Sequence, residues 1–154
     1  MAEYLSLFTV ALLSATLLPG GSEVLLSALL LSTDPVLSAP LLWAVATAGN
    51  TLGAIVNWWL GGWLLHWFPR WQSRPWFPFK GDSLQRSQRW FQRYGVWSLL
   101  LAWAPLVGDG LTFVAGVMRV GLPRFVLLVA IGKGARYAVL LWILLAVAGR
   151  SPRP

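Results

Sequence analysis

The stretch that decides the fold is VWSLLLAWAPLVGDGLTFVAGVM, residues 96–118. It is apolar at both ends and interrupted by Ala104-Pro105-Leu106-Val107-Gly108-Asp109-Gly110. A helix needs about 20 residues to cross a hydrocarbon core about 30 Å thick, so neither half reaches across alone. Two short helices joined by a Pro/Gly turn inside an apolar region describe a re-entrant hairpin. Irregular backbone at that depth survives only where protein or a watery cavity surrounds it. The turn carries one acid, Asp109.

The N-terminal apolar block, residues 4–31, repeats this design. Pro19-Gly20-Gly21-Ser22-Glu23 breaks it, again with one acid in the break. A single kinked transmembrane helix with Glu23 facing its neighbours is the alternative for this block. Two unbroken apolar runs, 41–66 and 125–148, are each long enough to cross. The order hairpin–span therefore occurs twice, and internal repeats of broken helices mark transporters whose site lies near the midplane. The predicted architecture is one all-α integral membrane domain over residues 1–154. It comprises two re-entrant hairpins in an inverted-repeat arrangement, entering from opposite faces, two full transmembrane helices and an interfacial helix.

Composition points the same way. Hydrophobic residues make up 57% and charged residues only 11%, against about a quarter charged in soluble domains. The net charge of +7, from 12 Lys+Arg against 5 Asp+Glu, fits membrane topology and anionic lipid better than nucleic acid on so apolar a chain. Cysteine is absent, which excludes disulfides and thiol chemistry. The N-terminus carries Glu3 where a cleavable signal would carry basic residues, so the first block is expected to be retained.

Residues 67–94 are the polar exception. Arg70, Arg74, Lys80, Arg86, Arg89 and Arg93 face Asp82 alone, which places this segment on the cytoplasmic side. From Asp82, DSLQRSQRWFQRY reads as an amphipathic helix lying on the inner surface, with Leu84, Ser87, Phe91 and Tyr94 on one side. Arg86, Arg89 and Arg93 are candidate contacts for lipid headgroups, or simply a topology anchor. The basic link from Arg119 to Arg124 is likewise expected to be cytoplasmic.

The apolar runs hold few polar groups, and these are the candidate site. In the 41–66 run, Gly49, Gly53, Asn57 and Gly61 recur every four residues, a spacing that lets a second helix approach closely. Asn50 and Asn57 are amides that need partners in lipid. In the last run, IGKGARY brings Lys133 and Arg136 into the membrane at roughly 2.5–3.5 kcal/mol each. Lys133 lies about two turns from Arg124 and can snorkel; Arg136, about one turn deeper, is harder to relieve that way. A lone carboxylate at that depth takes up a proton, whereas a neighbouring cation keeps it charged. The cheapest arrangement gathers Glu23, Asp109, Lys133 and Arg136 into one polar cavity. Such a cavity admits an anionic headgroup to the cations and protons to the acids; the alternative is a static ion-pair network holding the hairpins together. No HExxH, GxSxG, Walker or acid-rich metal motif occurs, and His66 sits at a helix end. No enzymatic activity, metal or cofactor is expected.

The motifs of the second half resemble those of the DedA family, also called the SNARE-associated or VTT-domain family. Phe91-Gln92-Arg93-Tyr94-Gly95 resembles its first element, Trp103-Ala104-Pro105 its hairpin, and Thr112-Phe113 with Ala115-Gly116 its third segment, before Met118 and Phe125. Pro19-Gly20-Gly21-Ser22-Glu23 resembles the family's Pro-Gly-Glu turn with two extra residues. GNTLGAIVNWWLG resembles its second helix, with Asn50 where an acid is common. The likeness covers about residues 15–137. Ala102 and Gly108 stand where typical members carry hairpin arginines, and Asp109 with IGKGARY is similar to the YqaA-type branch. The resemblance implies a multi-pass protein of the bacterial inner membrane. It implies lipid transport, flippase- or scramblase-like, of a phospholipid or polyprenyl-phosphate carrier, driven by the proton-motive force. Glu23 and Asp109 would then be coupling acids, and Lys133 and Arg136 would replace the missing arginines. Two spans per chain suggest a homodimer. A structural or assembly factor without transport, and a small ion or drug exporter, are the rival functions.

Overall fold

The computed structural model describes residues 1–15, 20–32, 38–64, 94–104 and 107–148. These form five α-helices and one 3₁₀ helix: α1 (Ala2–Ser14), α2 (Gly21–Leu31), α3 (Ala39–Leu64), η1 (Gly95–Trp103), α4 (Val107–Val117) and α5 (Leu122–Ala148). No strand occurs among the described residues. The amphipathic helix expected from Asp82, with Arg86, Arg89 and Arg93, lies outside them.

Two helices are long and apolar enough to cross a membrane, over Ala39–Trp63 and Leu122–Val147. The remaining helices are short because their sequences are broken where expected. Gly20, with φ of 98°, ends the first break in a left-handed conformation that a side chain would resist. η1 departs from expectation in being a 3₁₀ helix of nine residues, longer than the three or four such a helix usually sustains. Its burial follows the period of three: Leu99 and Ala102 are buried, whereas Trp97 and Trp103 are exposed. Between α4 and α5, Arg119 (φ 53°) takes the left-handed position of a Schellman cap. Its N–H donates to the Gly116 carbonyl and that of Val120 to the Ala115 carbonyl, each at 3.0 Å.

Each long helix receives one arm from each broken segment. α3 packs on α1 and α4, and α5 packs on η1 and α2. The glycine stripe makes the first of these contacts close. A Cβ on Gly53 would stand 2.6 Å from the Ala15 Cβ and the Leu12 carbonyl oxygen, and one on Gly61 would collide with the Phe113 backbone. The stripe therefore serves both broken segments, its N-terminal part facing α1 and its C-terminal part facing α4.

Two apolar clusters result. Leu7, Leu26, Leu42, Ala46, Tyr137 and Leu141 join the first segment to the long helices. Ala54, Leu99, Leu111, Val114, Phe125 and Val129, with their neighbours, do so for the second. Every fourth residue places Leu42, Ala46, Asn50 and Ala54 on one face of α3, and Phe125, Val129, Lys133, Tyr137 and Leu141 on one face of α5. On each face the apolar run is interrupted at the junction of the two clusters, by Asn50 on one helix and Lys133 on the other.

Candidate functional site

The interruption is where the polar groups meet. Lys133 does not snorkel: it is 5% exposed, its ammonium donating to Asn50 Oδ1 and lying 3.4 Å from Asp109 Oδ1. Snorkelling would draw it out along the helix, away from two acceptors that already satisfy it in place. One turn on, Arg136 pairs through Nε with Glu23 Oε1 and donates from Nη1 to the Trp103 carbonyl oxygen at 2.9 Å. The two acids of the chain breaks thus each meet a cation of α5, Glu23 from the start of α2 and Asp109 from the start of α4. Each carboxylate also stands in the first turn of its helix, where unpaired N–H groups favour negative charge.

A hydrogen-bond chain ties these pairs to the first segment. Asn50 Nδ2 lies 2.7 Å from the Tyr137 hydroxyl, which is 2.8 Å from Ser22 Oγ, and the Ser22 N–H donates to Ser14 Oγ at 3.1 Å. The first two links have a fixed direction. An ammonium only donates, so Asn50 turns its oxygen to Lys133 and its NH₂ to Tyr137, whose oxygen accepts. Between the Tyr137 and Ser22 hydroxyls either oxygen can donate.

Ser14, Ser22, Asn50, Asp109, Lys133 and Arg136 line one cavity, with about 20 Å³ open to the centres of water molecules. That is room for about one water, which needs 10–15 Å³. The side chains of Asp109, Glu23 and Arg136 retain 35%, 31% and 26% exposure, so Lys133 is the sealed member of the group. Asn57 stands apart. It does not line the cavity; its Nδ2 donates to the Ala15 carbonyl at 2.7 Å, satisfying a backbone oxygen at the end of α1.

Sequence reasoning passed over Tyr137, Ser22, Ser14 and the Trp103 carbonyl. A signal existed for two of them. Tyr137 follows Lys133 by four residues and shares its helix face, and Ser22 adjoins Glu23 in the break. Nothing in the sequence marks a particular backbone carbonyl.

Residues 18–146 match the VTT domain. The chain belongs to the VTT-domain family, also known as DedA. This VTT protein is 41% identical over 141 residues to inner membrane protein YqaA of Escherichia coli (strain K12), covering 89% of either chain. It is 34% identical over 142 residues to an uncharacterized protein of Haemophilus influenzae, covering 89% of this chain and 84% of that one. It is 28% identical over 135 residues to undecaprenyl phosphate transporter A of Staphylococcus aureus, covering 84% of this chain and 66% of that protein. None of these relatives is named as an enzyme. No solved structure matches the chain. The YqaA likeness and the two apolar helices make this VTT protein one of the bacterial inner membrane.

Proposed function

We propose that this VTT protein moves an anionic lipid, a phospholipid or a polyprenyl phosphate, across the inner membrane, and that Glu23 and Asp109 couple the movement to protons. The observation that carries this reading is the pairing of both acids with cations near the middle of α5: Asp109 with Lys133 in the wall of one small cavity, and Glu23 with Arg136, which lines that cavity while Glu23 itself does not. Charges at membrane depth are expensive and mark substrate and proton paths. A relative named as an undecaprenyl phosphate transporter supports a lipid phosphate as cargo. In this reading the two broken segments are re-entrant hairpins from opposite faces, and their elbows bring the acids to the midplane.

The cavity holds about one water, so the arrangement described is a closed one. A headgroup enters when an acid takes up a proton and releases its cation. Protonated Glu23 no longer holds Arg136, whose planar fork then suits a phosphate. Releasing the proton on the other side restores the pair and expels the anion.

The opposing reading is a static network, favoured by the pairing of all four charges. Proteoliposomes decide between them. Purified protein is reconstituted with a fluorescent anionic phospholipid, and translocation is read by quenching of the exposed leaflet, with and without a pH gradient. Glu23→Gln and Asp109→Asn are expected to keep native helicity while translocation falls toward the protein-free rate. Variants that unfold favour the static network; variants that fold and transport like the native chain remove both acids from the mechanism.

A further inference from the structure

The seam between η1 and α5 carries a feature that the charged cavity does not use. Two grooves open along it. One, of about 330 Å³, is lined by Val96, Trp97, Arg124, Leu127 and Leu128. The other, of about 320 Å³, is lined by Trp103, Ala135, Arg136 and Val139. Both fall within the range of about 300–1,000 Å³ typical of small-molecule sites, whereas the charged cavity does not. Each groove is apolar and has the same parts, one indole from η1 and one guanidinium from α5.

This repetition depends on the winding of η1. Six residues are two full turns of a 3₁₀ helix, so Trp97 and Trp103 stand on one edge. In an α-helix the same six residues would turn them away from each other. Both indoles are exposed, Trp97 at 70% and Trp103 at 47%. Midway, η1 and α5 touch through backbone: a Cβ on Gly132 would stand 2.8 Å from the Leu100 carbonyl oxygen. Arg124 and Arg136 are twelve residues apart, ~18 Å along the helix axis, more than half of a hydrocarbon core. Arg136 also lines the charged cavity, so the inner groove and the cavity share that one side chain.

We propose that the η1–α5 seam is a two-station binding site for a membrane lipid with an anionic headgroup. The headgroup rests on Arg124 at the outer station and on Arg136 at the inner one, with the hydrocarbon tail in the adjoining groove. The occupant follows from charge and shape together. A free phosphate ion satisfies an arginine but leaves both apolar grooves empty. A neutral lipid fills the grooves but brings no counter-charge to Arg124, nor to Arg136 once Glu23, its partner in the closed arrangement, is protonated and lets it go. The inference rests on the carrier reading for its direction, with the seam delivering the headgroup to the cavity sideways from the bilayer.

The test is photolabelling of the full chain in phosphatidylcholine vesicles containing a trace of a lipid with a photoreactive tail. One arm uses a phosphatidylglycerol headgroup and the other a phosphatidylcholine headgroup on the same tails. With the anionic probe, adducts are expected to concentrate on residues 97–103 and 124–139. Ala135→Trp, which fills the inner groove without altering any charged residue, removes adducts at Trp103 and spares those at Trp97; Arg124→Gln does the reverse. Equal labelling by both headgroups, or adducts spread over exposed positions such as Leu52 and Val56, overturns the proposal.

Translocation separates this inference from the reading beneath it. Losing contact with as few as two methylenes slows passage about tenfold, so Ala135→Trp is expected to be slower by at least that factor. If Ala135→Trp transports at the native rate, the seam is not the path and the carrier reading stands. If the native chain transports nothing yet labels selectively along the seam, the lipid site stands and the carrier reading falls. Ala135→Leu serves as the second variant should tryptophan disturb folding.

Discussion

Replacing Tyr137 by phenylalanine removes one buried hydroxyl and almost no volume. That hydroxyl is 2.7 Å from Asn50 Nδ2 and 2.8 Å from Ser22 Oγ, so two bonds between helices are lost. Bonds of this kind within membrane bundles contribute about 0.6 kcal/mol on average and up to about 1.7 kcal/mol. Two of them give about 1–3 kcal/mol. Both orphaned groups line the cavity, and one water there replaces part of the loss, which holds the expected cost to the lower half of that range. The assay is reversible unfolding in mixed micelles followed by circular dichroism, with Ser22→Ala and the double variant completing a cycle. A coupling of about 0.5 kcal/mol or more is expected between the two positions, because they share one bond. Tyr137→Phe within about 0.3 kcal/mol of native stability, together with additive single variants, would refute the hydrogen-bonded chain from Lys133 to the first broken segment.

Three further outcomes follow from the same geometry. Lys133→Met leaves Asp109 without its cation and Asn50 Oδ1 without its donor, and should cost about 3–5 kcal/mol in the same unfolding assay; adding Asp109→Asn should recover part of that loss, and no recovery would deny the pair its role. Gly53→Leu forces a side chain into Ala15 and the Leu12 carbonyl and should destabilise by about 1–3 kcal/mol or more, whereas Gly110→Ala, whose Cβ meets nothing within 4 Å, should leave folding near native. Single cysteines at Gly21 and Gly110 in the cysteine-free chain should react with impermeant maleimide from opposite sides of the membrane if the hairpins enter from opposite faces; labelling from one side only refutes that topology.

Periodicity and breakage were legible without coordinates because a bilayer imposes them. Eleven or thirteen apolar residues cannot span hydrocarbon, so Pro19–Glu23 and Ala104–Gly110 announce short helices, and the runs holding Asn50 and Lys133 announce long ones. The cost of charge in lipid then singles out Glu23, Asp109, Lys133 and Arg136. The glycine stripe could be read as a close-contact face, but its division between α1 at Gly53 and α4 at Gly61 could not. The winding of η1 was equally hidden. GVWSLLLAW satisfies the composition of any apolar helix, and only its packing against α5 at Gly132 shows which residues turn inward.

The sequence alone determined that this protein lives in a membrane, that two of its apolar runs are each broken by an acid-bearing turn, and that gathering four charges is the cheapest way to hold them there. These depend on composition and spacing, which the chain carries locally. Tertiary structure decided who pairs with whom: Glu23 with Arg136, Asp109 with Lys133, and Asn57, which does not line the cavity, with the Ala15 carbonyl. It also recruited Tyr137 and Ser22, 115 positions apart, into one bond. Such pairings depend on where distant helices cross, because a hydrogen bond reaches only about 3 Å, and no local pattern fixes that crossing.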